Sequence, residues 1–142
     1  MIIPTKTSNN EIFILDDEPE HIEWLVEYLE AKGLSVTLAT NAEEAIELVN
    51  INFYKGYILD LNIPLGTWQP NMQKTNTTYE KYKGLYIAKY IRSQGVASRN
   101  VIAYSAHTNT EIKTEADLLY IEFVAKGRAY EFKQAIKSMI SG

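Results

Sequence analysis

Apolar residues along this chain fall into short continuous runs that alternate with longer stretches of helical spacing. The first run, Ile12-Phe13-Ile14-Leu15, has no polar residue in it, which suits a strand covered on both faces. It stops at Asp16-Asp17-Glu18-Pro19. Beyond Pro19, Ile22, Leu25, Val26 and Leu29 recur on one helical face, and Gly33 stands where a helix C-terminus favours a left-handed residue. The unit then repeats. Leu34 to Leu38 alternates as a strand, and Asn41 with Glu44 forms a capping box for a helix that turns Ala42, Ala45, Ile46 and Val49 inward. Gly56-Tyr57-Ile58-Leu59 is a third strand and ends at Asp60; its helix comes much later, with Leu85, Ala88 and Ile91 inward and Gly95 past its end. Val101-Ile102-Ala103-Tyr104 ends at Ser105, and a weaker helical segment from Asn109 to Leu118 carries Ile112 and Ala116. Ile121-Glu122-Phe123-Val124 leads to Lys126, and a last helix buries Phe132, Ile136, Met139 and Ile140.

Strand–helix units in such a series predict an α/β domain with a parallel sheet and helices on both faces. Right-handed crossovers leave few topologies for it, and in open sheets of this kind ligands bind beyond the carboxyl ends of the strands, where strand order reverses. The residues that matter are therefore those just after each strand: Asp16 and Asp17, Asp60, Ser105 and Lys126.

Composition narrows the class. A chain of 142 residues with 46% hydrophobic content argues for one domain whose core needs no disulfide or structural metal. The absence of cysteine excludes thiolate metal sites and a Cys nucleophile. With 14 Lys+Arg against 18 Asp+Glu, a net charge of −4 and scattered cations, a protein that coats nucleic acid directly is not expected. Residues 1–10 read as a polar leader without a signal-peptide core, and no apolar run approaches the roughly 20 residues of a membrane span. A soluble, cytoplasmic chain without membrane insertion is the expectation.

Each strand-end residue alone has an ordinary explanation. Asp17 before Pro19 could cap a helix, Asp60 before Asn62 and Pro64 could serve a turn, Ser105 could be a loop hydroxyl and Lys126 a solvated charge. Together they are harder to explain so, because independent accidents would have to land on one edge of the sheet. Clustered carboxylates raise one another's pKa unless a cation sits among them, and an oxygen-loving ion such as Mg²⁺ is the natural occupant. A carboxylate there can attack phosphorus to give an aspartyl phosphate, whose charge Mg²⁺, the Lys126 ammonium and the Ser105 hydroxyl would meet.

These residues resemble the receiver domain of two-component response regulators, over nearly the whole chain from Glu11 to Ile140. The resemblance rests on Phe13-Ile14-Leu15-Asp16-Asp17-Glu18-Pro19, Tyr57-Ile58-Leu59-Asp60-Leu61-Asn62-Ile63-Pro64, Val101-Ile102-Ala103-Tyr104-Ser105-Ala106 and Phe123-Val124-Ala125-Lys126. It implies a flavodoxin-like five-stranded parallel sheet of order 2-1-3-4-5 over residues 11–142, with Asp60 as phosphoacceptor. It further implies Mg²⁺ held by Asp16, Asp17, Asp60 and the Asn62 backbone carbonyl, Ser105 as switch hydroxyl, Lys126 as pairing cation and Phe123 as the aromatic that follows the switch. The implied partners are a sensor histidine kinase or histidine phosphotransfer protein and a separate downstream effector protein. A homodimer through the face formed by helix four, strand five and helix five is a further route that the resemblance opens. Such a protein catalyses its own Mg²⁺-dependent phosphorylation and dephosphorylation without turning over an external substrate.

Two departures stand out. The family usually follows the reactive Lys with a cis Pro, whereas Gly127 follows here, and a trans peptide or a rearranged loop is expected. From Asp60 to Gly84, which would open helix three, is 84 − 60 = 24 positions, against the roughly eight that the family resemblance implies; a connection longer than about 12 to 15 residues tends to be functional or disordered. The polar insert at 67–83 is either a solvated loop or a cover for the site anchored by Trp68 and Met72, and Thr78 to Lys83 could extend helix three backwards with Tyr79, Tyr82 and Tyr86 on one side. His21 reads as a surface residue; His107, two residues after Ser105, and Asn62 flank the site and could tune acyl-phosphate hydrolysis.

Two other functions compete. A phosphorylation-independent pseudo-receiver would use this surface for protein docking alone. A haloacid-dehalogenase-type phosphatase would need a second Asp two residues after the first, where Asn62 follows Asp60 and Glu18 follows Asp16. Without the leader and the insert, about 116 residues remain, a bare receiver length within the single-domain range, so output is expected through a separate partner.

Overall fold

The computed structural model describes residues 3–64, 66 and 77–141. Trp68 and Met72 lie outside the described residues. The elements are β1 (Lys6–Leu15), α1 (Glu23–Ala31, led in by a 3-10 turn Pro19–Ile22), β2 (Ser35–Ala39), α2 (Ala42–Ile51) and β3 (Asn52–Asp60). After a short helical segment, Thr77–Lys81, come α3 (Lys83–Ser93), β4 (Val101–Ser105), α4 (Thr110–Leu118), β5 (Glu122–Ala125) and α5 (Ala129–Ser141). All four strand pairings are parallel, as the apolar runs predict, and the order is 2-1-3-4-5, as the family resemblance implies.

Strand alternation builds two cores. Phe13 and Leu15 of β1, Tyr57 and Leu59 of β3, and Val101 and Ala103 of β4 face α2, α3 and α4. Their neighbours Ile12, Ile14, Ile58, Ile102 and Tyr104 face α1 and α5. Because successive side chains point to opposite faces, strands apolar at every position must lie between two helical layers. Helix α2 starts as expected: the Asn41 side chain accepts from the Glu44 N–H at 2.9 Å, while the Glu44 carboxylate reaches back to the Thr40 N–H at 2.9 Å.

The strands run longer than their apolar cores. β1 begins at Lys6, inside the stretch 1–10 that the sequence reads as a polar leader, and Lys6, Thr7 and Ser8 pair with Asn52, Phe53 and Tyr54 of an equally extended β3. The register shifts between Ser8 and Ile12. Ser8 Oγ accepts from Asn52 Nδ2 at 2.9 Å, so ladder and side-chain hydrogen bonds hold a segment that carries no hydrophobic signal.

Candidate functional site

The site forms where strand order reverses, between β1, whose crossover leads to β2, and β3, whose crossover leads to β4. Leu15 is in register with Leu59, so the next residues, Asp16 and Asp60, emerge side by side. Hydrogen bonds carry the ladders one rung past the strands: Asp16 N–H to Ala39 O at 3.0 Å, Leu61 N–H to Tyr104 O at 3.1 Å, and Lys126 N–H to Ser105 O at 2.9 Å. These rungs fix the backbone of the polar residues just beyond the apolar runs.

Carboxylate oxygens of Asp16, Asp17 and Asp60 lie within 4.8 Å of one another, with Asp16 and Asp60 buried and Asp17 exposed. Lys126 Nζ stands 3.1 Å from Asp60 Oδ2, and the Asn62 N–H donates to Asp60 Oδ1 at 3.1 Å. Burial pushes the Asp60 carboxyl above its ordinary value; the Asn62 N–H and Lys126 pull it down, and the Asp16 charge pushes it further up. Ser105 is fully buried at the end of β4, and its Oγ accepts from the His107 N–H at 3.0 Å; among the described residues it makes no hydrogen bond to Asp60. Phe123 is half-buried on β5, in register with Ala103. His21 is exposed, with Glu18 at 3.5 Å.

Asp16 is held twice. The Glu18 N–H donates to Oδ1 at 2.7 Å, and the Tyr104 hydroxyl donates to Oδ2. Burial, then the Asp16 charge and hydrogen bond, raise the Tyr104 phenol, so it stays protonated and a donor. The ammonium of Lys126 lies over the same ring, 5.3 Å from its centroid. Sequence reasoning placed Tyr104 merely as an apolar strand residue. Its place as the last residue of an apolar run on β4, one strand away from the switch point, does not distinguish it from its neighbours.

Two glycines shape the surroundings. A Cβ on Gly84 would lie 2.2 Å from the Asp60 carbonyl oxygen, so only glycine lets the start of α3 approach the end of β3, where the Gly84 N–H donates to Leu61 O at 3.0 Å. Gly127 has φ +89° after a trans peptide, in a turn closed by the Arg128 N–H on Ala125 O at 3.2 Å. That conformation is closed to proline, whose ring fixes φ near −65°. The rearranged loop expected at Gly127 is thus a glycine turn. Helix three does not extend unbroken backwards, as Thr78 to Lys83 might suggest from sequence: the chain breaks at Tyr82, with φ −121° and ψ 79°. Tyr79 and Tyr86 remain edge to face at 6.4 Å, whereas Tyr82 turns toward His107, 5.7 Å between ring centroids.

A parallel sheet of order 2-1-3-4-5 with a buried, lysine-paired aspartate and two further carboxylates at its switch point defines an open α/β domain of the flavodoxin-like class. The response regulator receiver domain model matches residues 12–136, and the chain belongs to that family. The fold is similar to a two-component response regulator from Clostridium difficile, at 21% identity and TM-score 0.69 over 93% of this chain and 95% of that one. It is also similar to a CheY-like receiver domain protein from Methanospirillum hungatei, at 17% identity and TM-score 0.70 over 94% and 95%. A third similar structure is Thermotoga maritima response regulator TrrA in complex with Mg²⁺-BeF, at 25% identity and TM-score 0.61 over 92% and 98%. Among curated proteins, the transcriptional regulatory protein SrrA of Staphylococcus aureus is 41% identical over 56 residues, 39% of this chain and 23% of SrrA. The chain thus matches less than a quarter of that relative's length. Among the described residues no helix is long and apolar enough to cross a membrane.

Proposed function

We propose that this chain is a phosphorylatable signalling switch that accepts a phosphoryl group on Asp60 from a sensor histidine kinase or histidine phosphotransfer protein. The observation that carries the reading is Asp60 itself, buried at the switch point, 3.1 Å from Lys126 and within 4.8 Å of two further carboxylates. An Asp60 oxygen attacks phosphorus, the P–N bond of the phosphohistidine donor breaks, and the leaving imidazole takes up a proton. The Lys126 ammonium pairs with the new phosphoryl oxygens, and the Ser105 hydroxyl turns from the His107 N–H to donate to them. His107 and Asn62, flanking the site, set the access of the water that hydrolyses the acyl phosphate.

The residues present fit Mg²⁺: an all-oxygen donor set with three carboxylates and one lysine is short of positive charge. Asp16, Asp17, Asp60 and the Asn62 carbonyl would hold the ion, Asp16 directly or through water, and the ion supplies charge neutralisation on the transferring phosphoryl group. Phe123 and the face of α4, β5 and α5 carry the response to a separate effector protein or to a second copy of the chain. Support for this face comes from exposed Leu118, Tyr120 and Tyr130, and from a cavity of about 490 Å³ beside β5 lined by Phe123, Tyr130 and Ala135.

The test is incubation with Mg²⁺ and acetyl phosphate or phosphoramidate, followed by intact-mass measurement. A one-phosphoryl increase that disappears in Asp60→Ala supports the switch. Absence of labelling would leave a docking module, and fast turnover of phosphoesters would leave a phosphatase.

A further inference from the structure

The segment that follows the insert is tied to the loop that follows Ser105. The Asn109 side chain works in two directions: Oδ1 accepts from the Ile112 N–H at 3.1 Å and caps α4, while Nδ2 donates to the Tyr82 hydroxyl at 2.8 Å. Tyr82 is 8% exposed and its ring lies against His107, whose backbone N–H holds Ser105 Oγ. Two residues of the short helix just before Tyr82, Thr77–Lys81, add to the link, since Tyr79 donates to Glu115 of α4 at 3.0 Å and Thr78 to Glu111 at 3.5 Å. The Tyr82 N–H in turn donates to Thr78 O at 2.9 Å, closing the helical turn that carries all three side chains.

We infer that Tyr82 is a positioning residue that joins the β4–α4 loop to the Thr78–Tyr82 segment, so that the state of Asp60 is read at this segment as well as at β5. The inference rests on the phosphorylation reading above. A Ser105 hydroxyl that turns to a phosphoryl group on Asp60 leaves the His107 N–H, and the loop that then shifts carries both contacts to Tyr82. Holding the loop through Tyr82 therefore favours the unmodified state, and coupling of this kind is reciprocal: weakening the hold makes phosphoryl-like ligands bind more tightly.

Two conservative variants isolate the hold. Tyr82→Phe keeps the ring and removes the hydroxyl; Asn109→Ser keeps a good helix cap and removes the amide donor. The full chain is titrated with BeF₃⁻ in excess Mg²⁺, and amide hydrogen exchange is followed by mass spectrometry with and without the analogue. We expect each variant to bind BeF₃⁻ about two- to tenfold more tightly, the size of one neutral hydrogen bond, and the double variant to gain no more than either alone. In the wild type, exchange across Thr78–Tyr82 should quicken on analogue binding. Unchanged affinity in both variants, additive gains, or a response confined to residues 105–112 would overturn the inference while leaving Asp60 as the acceptor. Failure of the wild type to bind BeF₃⁻ or to be labelled by acetyl phosphate would remove both readings.

Discussion

Replacing Tyr104 by Phe separates the structural part of the site from its cation-binding part. The ring stays in place against Phe132, 5.1 Å away, and under Lys126, while the hydroxyl on Asp16 Oδ2 is lost. Asp16 is 2% exposed, so its carboxylate then lacks one charge-assisted donor where water has little access. Hydrogen bonds to charged groups contribute about 1.5 to 3 kcal/mol, and ~2 kcal/mol is a fair central cost. Unfolding entropy near 2.1 cal/mol/K per residue over 142 residues gives roughly 0.3 kcal/mol/K, so the metal-free variant should melt about 7 °C below the wild type. A divalent cation among the carboxylates reverses part of this loss, because the oxygen released by the hydroxyl becomes available to it. If Mg²⁺ binds about tenfold more tightly to the variant, saturation returns ~1.4 kcal/mol and narrows the gap to about 2 °C. Melting curves by circular dichroism at graded Mg²⁺, with a chelator control, measure both quantities. Parallel shifts with a constant gap would refute the reasoning, since Tyr104 would then support Asp16 without competing for it.

Gly84→Ala forces a Cβ to 2.2 Å from the Asp60 carbonyl oxygen and 2.5 Å from Leu61 Cα, both backbone atoms; denaturant titration should show a loss of more than about 2 kcal/mol, and acetyl phosphate labelling should slow as Asp60 shifts. Gly127→Pro meets a φ of +89° that proline cannot adopt and should displace Lys126, lowering labelling of Asp60 more than Gly127→Ala, which costs about 1 kcal/mol in the left-handed region but keeps the turn. Hydrogen bonds from Thr40 hold the Glu44 carboxyl below its ordinary 4.5. Its contribution is therefore complete above that value and is lost as pH falls through the lower folded-state value, so wild type and Glu44→Gln should converge in stability on acidification, by a small amount given the exposure of this carboxylate.

The fold was legible because its signal is periodic. Strands such as Ile12–Leu15 and Val101–Tyr104 bury side chains on both faces, and Gly33 and Gly95 do adopt the positive φ that helix ends favour. Convergence of Asp16, Asp17 and Asp60 was equally legible, since it follows from parallel strands in register at a switch point. Contacts that join distant positions left no local trace. The Tyr104 hydroxyl reaches a carboxylate 88 positions away, and nothing in an apolar run marks it as polar in effect. Lys6, Thr7 and Ser8 form strand because β3 offers them a ladder, and of their side chains only the β-branched Thr7 favours a strand. Tyr82 leaves the face of Tyr79 and Tyr86 because His107 and Asn109 lie within reach, a choice made by packing across the domain.

The extended pairing of β1 with β3 bears on where this domain can be cut. A fragment trimmed to residues 12–136, the span of the family match, would lose Lys6–Ser8 and expose the amides and carbonyls of Asn52–Tyr54. It would also lose Met139, whose thioether fills the space left open by Gly56 so closely that a Cβ there would sit 2.5 Å from its sulfur. Both losses fall at the end of the sheet opposite Asp60. A trimmed fragment would keep every acidic residue of the site and still be a poor report on the intact chain, because the base on which the sheet stands lies outside the conventional boundary.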